Sequence, residues 1–325
     1  MSTPIVLDVD TGIDDTIALL FAALHPEVEL VAAGAVWGNV EVETATRNTL
    51  HALALVGADS VPVAAGAAGP LSGRPAVHAH HVHGDDGQGN AGDRAFTGTA
   101  APIGAAEQIV SVARARPGQV ELVATGPLTN VALALGLCPE LPRLFRGVTI
   151  MGGAALAPGN VTPVAEANVW CDPEAAHAVF GADWLLTVVP LDVTMRTLLT
   201  ESHRERLLAA GGIAAYVGTI LDFYFDFFAA NAFGKRMSCM HDVLAVAVAA
   251  GILEPTLMPT VHATVDTGDG PGRGQTIFDL RGRYQGYPAQ PGARCRVVLE
   301  CDTAFAAAVV ELLCSGPSRI GSPDG

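Results

Sequence analysis

Lysine is almost missing: Lys235 is the sole one among 325 residues, so any chemistry that needs a catalytic lysine has a single candidate. Positive charge as a whole is scarce. Eighteen Lys and Arg face 33 Asp and Glu, a formal net charge of −15. That field repels phosphate, which argues against a nucleic acid or an anionic membrane surface as partner. The chain has no unbroken run of 18 apolar residues, so no membrane-spanning helix is expected. Its start, Met1-Ser2-Thr3-Pro4, lacks the cationic region of a secretory signal, which points to the cytoplasm. Cys-x-x-Cys spacing is missing as well. The six cysteines (138, 171, 239, 295, 301 and 314) are scattered, as buried thiols of a reducing compartment would be.

What is there is alternation. Residues 4–10 read as a short apolar strand broken by Thr11-Gly12, and Asp14-Asp15-Thr16 opens a helix that runs to Leu24. Residues 29–37 form a near-continuous apolar run, the mark of a parallel strand covered on both faces. A helix over 42–56 and a strand over 61–65 follow. A loop rich in Gly, Pro, His and Asp spans 69–101, a length that inside a compact domain is functional or mobile. Helices are expected at 105–115, 129–137, 173–180, 201–210, 212–229 and 240–250, with strands at 120–124, 148–151 and 185–189. Past Pro255, residues 261–265, 275–280 and 295–299 read as antiparallel strands, before a last helix over 303–313. The prediction is an α/β fold: an open, mostly parallel, doubly wound Rossmann-like sheet with helices on both faces and a small antiparallel C-terminal extension. One domain covers 1–314, and 315–325 forms a polar, disordered tail.

In such sheets ligands sit beyond the carboxyl ends of the strands, where the strand order reverses. Polar residues gather at those ends. Asp8 and Asp10 close the first strand and Asp14 and Asp15 begin the next helix. Asn39 follows the second strand, Thr125 the strand ending at Ala124, and Met151 ends another whose loop carries Asn160, Glu166 and Asn168. His241-Asp242 opens a later helix. One aspartate at a helix start reads as a cap. Four within eight residues of a glycine turn read as a cation site, because carboxylates that close take up protons unless a cation neutralises them. Oxygen ligands with no local His or Cys suit Ca²⁺ or Mg²⁺ over Zn²⁺. The histidines at 78, 80, 81 and 83 contribute at most one side chain to the site in this reading, and Cys171 and Cys239 are structural.

At this point the set becomes recognisable. Asp8-Val9-Asp10-Thr11-Gly12-Ile13-Asp14-Asp15 resembles the D-x-D-x-G-x-D-D signature of the inosine-uridine-preferring nucleoside hydrolase family. Further features match in order: Gly38-Asn39, 124–130 (ATGPLTN), Met151-Gly152-Gly153, Asn160, 166–168 (EAN), 172–176 (DPEAA) and His241-Asp242. The resemblance runs from about 4 to 312. It implies a Ca²⁺ held by Asp10, Asp15, Asp242 and the main-chain carbonyl of Thr125, with the ribose 2′- and 3′-hydroxyls and a water completing the shell. It implies that Asp10 takes the proton from that water. Asp14, Asn39, Asn160, Glu166 and Asn168 would hold the ribose hydroxyls, His83 and Met151 would line the substrate, and His241 would stand near the base and help protonate it. The implied protein is a cytoplasmic ribonucleoside hydrolase of nucleoside salvage, a homodimer or homotetramer acting on a small-molecule nucleoside.

The sequence also departs from the family. Ala167 stands where an aromatic is usual, and Gln88 replaces an apolar residue in the stretch from His83 to Gly89. Keeping His241, where the purine-specific branch has Trp, points to pyrimidine or broad inosine-uridine specificity. Phe223, Tyr224, Phe227 and Phe228 lie where the family has helical aromatics beside the base, though such a stripe is more often core. Two other readings compete. Asp8-Val9-Asp10-Thr11 also fits the D-x-D-x-T motif of haloacid-dehalogenase-like phosphatases, with Asp8 as nucleophile. A Ca²⁺-dependent ribose- or nucleoside-binding protein without catalysis is the other.

Overall fold

Short apolar runs build the centre of the protein, whose computed structural model describes residues 2–316. Strands β1 (Thr3–Val9), β2 (Val28–Ala35), β3 (Val63–Ala65), β4 (Glu121–Ala124), β5 (Gly147–Met151) and β6 (Leu186–Val189) all pair in parallel. Their residues are mostly apolar on both faces because helices cover both faces. Between them run α1 (Ile13–Leu24), α2 (Val42–Leu55), α3 (His80–His83), α4 (Ala105–Ala115), α5 (Thr129–Leu137), α6 (Ala167–Cys171) and α7 (Pro173–Gly181). The remainder comprises α8 (Leu191–Thr194), β7 (Leu198–Thr200), α9 (Glu201–Ala210), α10 (Gly212–Phe228), β8 (Met237–Cys239) and α11 (Asp242–Ala250). Strands β9 (Thr260–Val261), β10 (Ala263–Val265), β11 (Thr276–Phe278) and β12 (Cys295–Val297) and helix α12 (Phe305–Cys314) complete the described chain.

The sheet order is β3-β2-β1-β4-β5-β6-β12-β9. Strand order therefore reverses between β1 and β4, which leaves a crevice beyond their carboxyl ends. One apolar layer joins the sheet to α1, α10, α11 and α12, and another joins the opposite face to α4, α5 and α7.

Three sequence expectations need correction. The run 295–299, expected to be antiparallel, contributes β12, which lies parallel to β6 and extends the main sheet; only β9 pairs with it antiparallel. The expected strand 261–265 breaks at His262 into β9 and β10, which belong to different sheets. The antiparallel pair β7–β8 was not foreseen, since each has three residues and their pairing spans about forty residues of helix. Within the two long loops, 80–83 and 167–171 form short helices. One helical stretch among the described residues, Gly212–Phe233, is long and apolar enough to cross a membrane by length and composition. It is half buried, its inward face packs in the core, and Asp222 and Asp226 lie on its exposed side. The tail 315–325 lies outside the described residues from 317 onward.

Candidate active site

The chain turns sharply after β1 because Thr11-Gly12 ends the strand and α1 begins at once. The first helical turn carries Asp14 and Asp15, where the exposed amides favour negative charge. Asp15 Oδ2 accepts from the Gly12 N–H (3.0 Å), closing the turn on itself. A Cβ at Gly12 would lie 2.5 Å from His83 Nδ1, so only glycine lets α3 sit against the turn.

Asp10 and Asp15 are fully buried. Asn39, just past β2, bridges them: its N–H donates to Asp10 Oδ2 (2.7 Å) and its Nδ2 to Asp15 Oδ2 (3.1 Å). Thr125, just past β4, donates its hydroxyl to Asp15 Oδ1 (2.8 Å). Asp242 opens α11 and meets the N-terminal group from the other end of the chain. Ligand oxygens of Asp14, Asp15 and Asp242 lie within 4.8 Å of one another, and all three residues are buried. Asp10 is the neighbour of this trio, close enough to Asp15 and Asp14 for mutual repulsion to matter.

Burial first, and then like-charge repulsion, hold Asp10 and Asp242 well above the usual carboxylate range. Asp15 is pushed up to about 6 by burial and by Asp14. Burial also raises Asp14, against the opposing pull of His241 and the Tyr224 hydroxyl. Asp10 Oδ1 and Asp14 Oδ1 are buried with no hydrogen-bond partner. Buried carboxylate oxygens without partners are costly. A hard divalent cation would satisfy them, and this oxygen-only donor set fits one. The Thr125 carbonyl accepts from Asn168 Nδ2 at 2.7 Å and keeps a second lone pair.

Above the acids lies a cavity of about 400 Å³. Ten of the twelve residues singled out from the sequence line it: Asp14, Asn39, His83, Thr125, Met151, Asn160, Glu166, Asn168, His241 and Asp242. Asp10 and Asp15 are buried among them. Glu166 caps α6, accepting from the N–H groups of Asn168 (2.8 Å), Val169 (3.1 Å) and Gly153 (2.8 Å), while burial lifts its pKa to about 7. Asn160 Oδ1 accepts from the Ala167 N–H (3.0 Å). His241 Nδ1 lies 2.9 Å from Thr194 Oγ1, and burial lowers its pKa. His83 is buried in α3, its pKa lowered to about 4 by burial, and its Nδ1 accepts from the Ile13 N–H (3.1 Å). A neutral ring accepting at Nδ1 carries its hydrogen on Nε2.

The phosphatase reading loses its nucleophile. Asp8 is buried, does not line the cavity, and accepts from Asn130 Nδ2 (2.9 Å). Lys235 is exposed and does not line it either. Gln88 is not a pocket residue. It is buried under the turn, donating to the Gly12 carbonyl (3.1 Å) and accepting from the Tyr216 hydroxyl (2.9 Å). Phe223 is outside the lining, but Tyr224, Phe227 and Phe228 are part of it. Tyr224 donates to Asp14 Oδ2 (3.1 Å), a contact read too weakly from the sequence. Asn231, Ala232 and Met195 were missed. The positions 224, 227, 228 and 231 share one helical face, and that spacing was the available signal.

Comparison with known proteins agrees with this geometry. The sequence pattern of the inosine-uridine preferring nucleoside hydrolase family matches residues 5–307. An inosine-uridine preferring nucleoside hydrolase of Leishmania major is 36% identical over 331 residues, covering 99% of this chain and 100% of the relative. A pyrimidine-specific ribonucleoside hydrolase of Enterobacter sp. strain 638 is 38% identical over 282 residues, 86% of this chain and 88% of its own. A purine-preferring ribonucleoside hydrolase from Gardnerella vaginalis superposes with a TM-score of 0.89 at 30% identity, covering 98% of this chain and all of the other. A plant nucleoside hydrolase gives the same score at 29% identity and the same coverage. With an acid cluster at the switch point and relatives along its whole length, this chain belongs to the inosine-uridine preferring nucleoside hydrolase family, enzymes that cleave the N-glycosidic bond of nucleosides.

Proposed function

We propose that the protein is a Ca²⁺-dependent ribonucleoside hydrolase of pyrimidine or broad inosine-uridine specificity, releasing free base and ribose. One observation carries this reading: acids from opposite ends of the chain, Asp14 and Asp15 with Asp242, come within 4.8 Å of one another at the floor of a cavity of nucleoside size. Asp10, Asp15, Asp242 and the Thr125 carbonyl would hold the cation. When bound, it supplies neutralising charge, a grip on a vicinal diol and a lowered pKa for water.

The remaining work belongs to the chain. Breaking the N-glycosidic bond builds positive charge on the ribose ring, which the surrounding carboxylates stabilise. Asp10, with Oδ1 free of other partners, accepts the proton of the attacking water. Asp14, Asn39, Asn160, Glu166 and Asn168 orient the ribose hydroxyls. The departing base needs a proton or a strong hydrogen bond, and His241 at the cavity wall is the group to supply it. His241 also favours the pyrimidine or broad branch, which is consistent with relatives named for pyrimidine and inosine-uridine substrates. The reading includes a cytoplasmic salvage enzyme of one domain, assembled as a homodimer or homotetramer.

A nucleoside panel, with free base and ribose separated by chromatography, tests it. Uridine and inosine should turn over, and Asp10→Ala should abolish turnover. Nucleoside binding by calorimetry with no base released from any substrate would favour the non-catalytic alternative instead.

A further inference from the structure

The cavity has two functional sides, and one turn of helix touches both. Asp192, on α8, is buried with no cationic side chain paired to it among the described residues. Its carboxylate accepts three consecutive backbone N–H groups of the loop after β5: Ala155 on Oδ2 (2.8 Å), and Leu156 (2.7 Å) and Ala157 (3.1 Å) on Oδ1. Charge-assisted bonds of this kind are the strong ones. Three residues further along, the same loop delivers Asn160 to the cavity, and then Glu166. Two residues past Asp192, Thr194 meets His241 Nδ1 at 2.9 Å. The Leu191 N–H donates to the Gly153 carbonyl (3.0 Å), so α8 is tied to the start of the loop as well.

We propose that Asp192 is a positioning residue for ribose recognition, and that α8 registers the ribose-side loop against the base-side histidine. This rests on the ribose and leaving-group roles given above. Three consecutive amides converge on one carboxylate, so Asp192 fixes the backbone of the loop just before Asn160 and Glu166. An asparagine cannot replace it. Its Oδ1 still accepts from two amides, but its Nδ2 faces the third as donor against donor.

Substrate ratios test the proposal, because a loss that is merely structural lowers every substrate equally. For each variant, kcat/KM is measured on inosine, on 3′-deoxy- and 5′-deoxyinosine, and on p-nitrophenyl riboside. Asp192→Asn should reduce the preference for inosine over at least one deoxy analogue by about tenfold, chiefly through KM, while the inosine to p-nitrophenyl riboside ratio stays unchanged. Thr194→Val should do the reverse, lowering inosine against p-nitrophenyl riboside and sparing the ribose ratios. Asn160→Ala is run alongside. If it collapses the ribose ratios and Asp192→Asn does not, the proposal is wrong while the ribose assignment stands. If neither variant moves them, both fall. If Asp192→Asn does not fold, Asp192→Ser, which keeps one acceptor, is read by the same ratios.

Discussion

Asn39 holds Asp10 and Asp15 at once, its backbone N–H on one carboxylate at 2.7 Å and its side-chain amide on the other at 3.1 Å. One residue just past β2 thereby sets the spacing of two acids that belong to the turn after β1. Asn39→Ala keeps the backbone bond and loses the side-chain one. Turnover of inosine should fall by about one to two orders of magnitude, with a matching rise in the Ca²⁺ concentration needed for half activity. Calcium titrations of initial rate decide it, and an unchanged calcium requirement would count against the bridge.

The approach of Gly38 to Asp10 is closer still. A Cβ at Gly38 would collide with Asp10 Oδ2 and stand 2.8 Å from Pro127 Cδ. Gly38→Ala should therefore displace the proposed base and cost at least about a hundredfold in kcat, with the far-ultraviolet circular dichroism unchanged. Wild-type rates would show that the carboxylate has room to move.

Exhaustive chelation should abolish activity, and Ca²⁺ should restore it. The oxygen-only trio and the unpartnered oxygens of Asp10 and Asp14 are the reason. Full activity after dialysis against EGTA, verified free of metal by elemental analysis, would remove the cation from the reading.

Asp8 gives a stability test separate from the chemistry. Burial is the main cause that lifts its pKa from 3.8 to about 7. The folded state thus holds its proton more tightly than the unfolded chain does. The stabilisation is complete below about pH 4 and is lost as pH rises to about 7, by at most about 4 kcal/mol. Asp8→Asn removes this dependence. In chelator, the difference in unfolding free energy, variant minus wild type, should climb across that window and level off above it. Urea denaturation at several pH values measures it, and a flat difference would contradict the shift.

His241 is assigned to the leaving group. His241→Ala should slow inosine and uridine by about two to four orders of magnitude and p-nitrophenyl riboside far less, since nitrophenolate departs without a proton. Equal losses on both substrates would deny it that role.

Local chemistry was readable in the amino-acid order. The run from Asp8 to Asp15 contains its own strand, glycine turn and acid-bearing helix start, so its role could be recognised without tertiary contacts. The same holds for the buried parallel strands, whose continuous apolar runs mark coverage on both faces. Residues brought in from far away were harder. Tyr224 reaches Asp14 across 210 positions, and its aromatic stripe looks the same whether it fills a core or walls a cavity. Strand β12 has only three residues, Cys295-Arg296-Val297, and its direction is set by its neighbour β6.

Composition, turn residues and periodicity by themselves determined the α/β alternation and the acid turn, because each depends on neighbours within a few positions, whereas the roles expected of Asn160, Glu166, Asn168 and His241 came from the family resemblance. Only the tertiary structure decided that Asp8 faces Asn130 and away from the cavity, that Gln88 braces the turn from beneath, and that Asp192 anchors the loop carrying Asn160. Those outcomes depend on which strands lie side by side, and strand order is settled by packing two helical layers on one sheet.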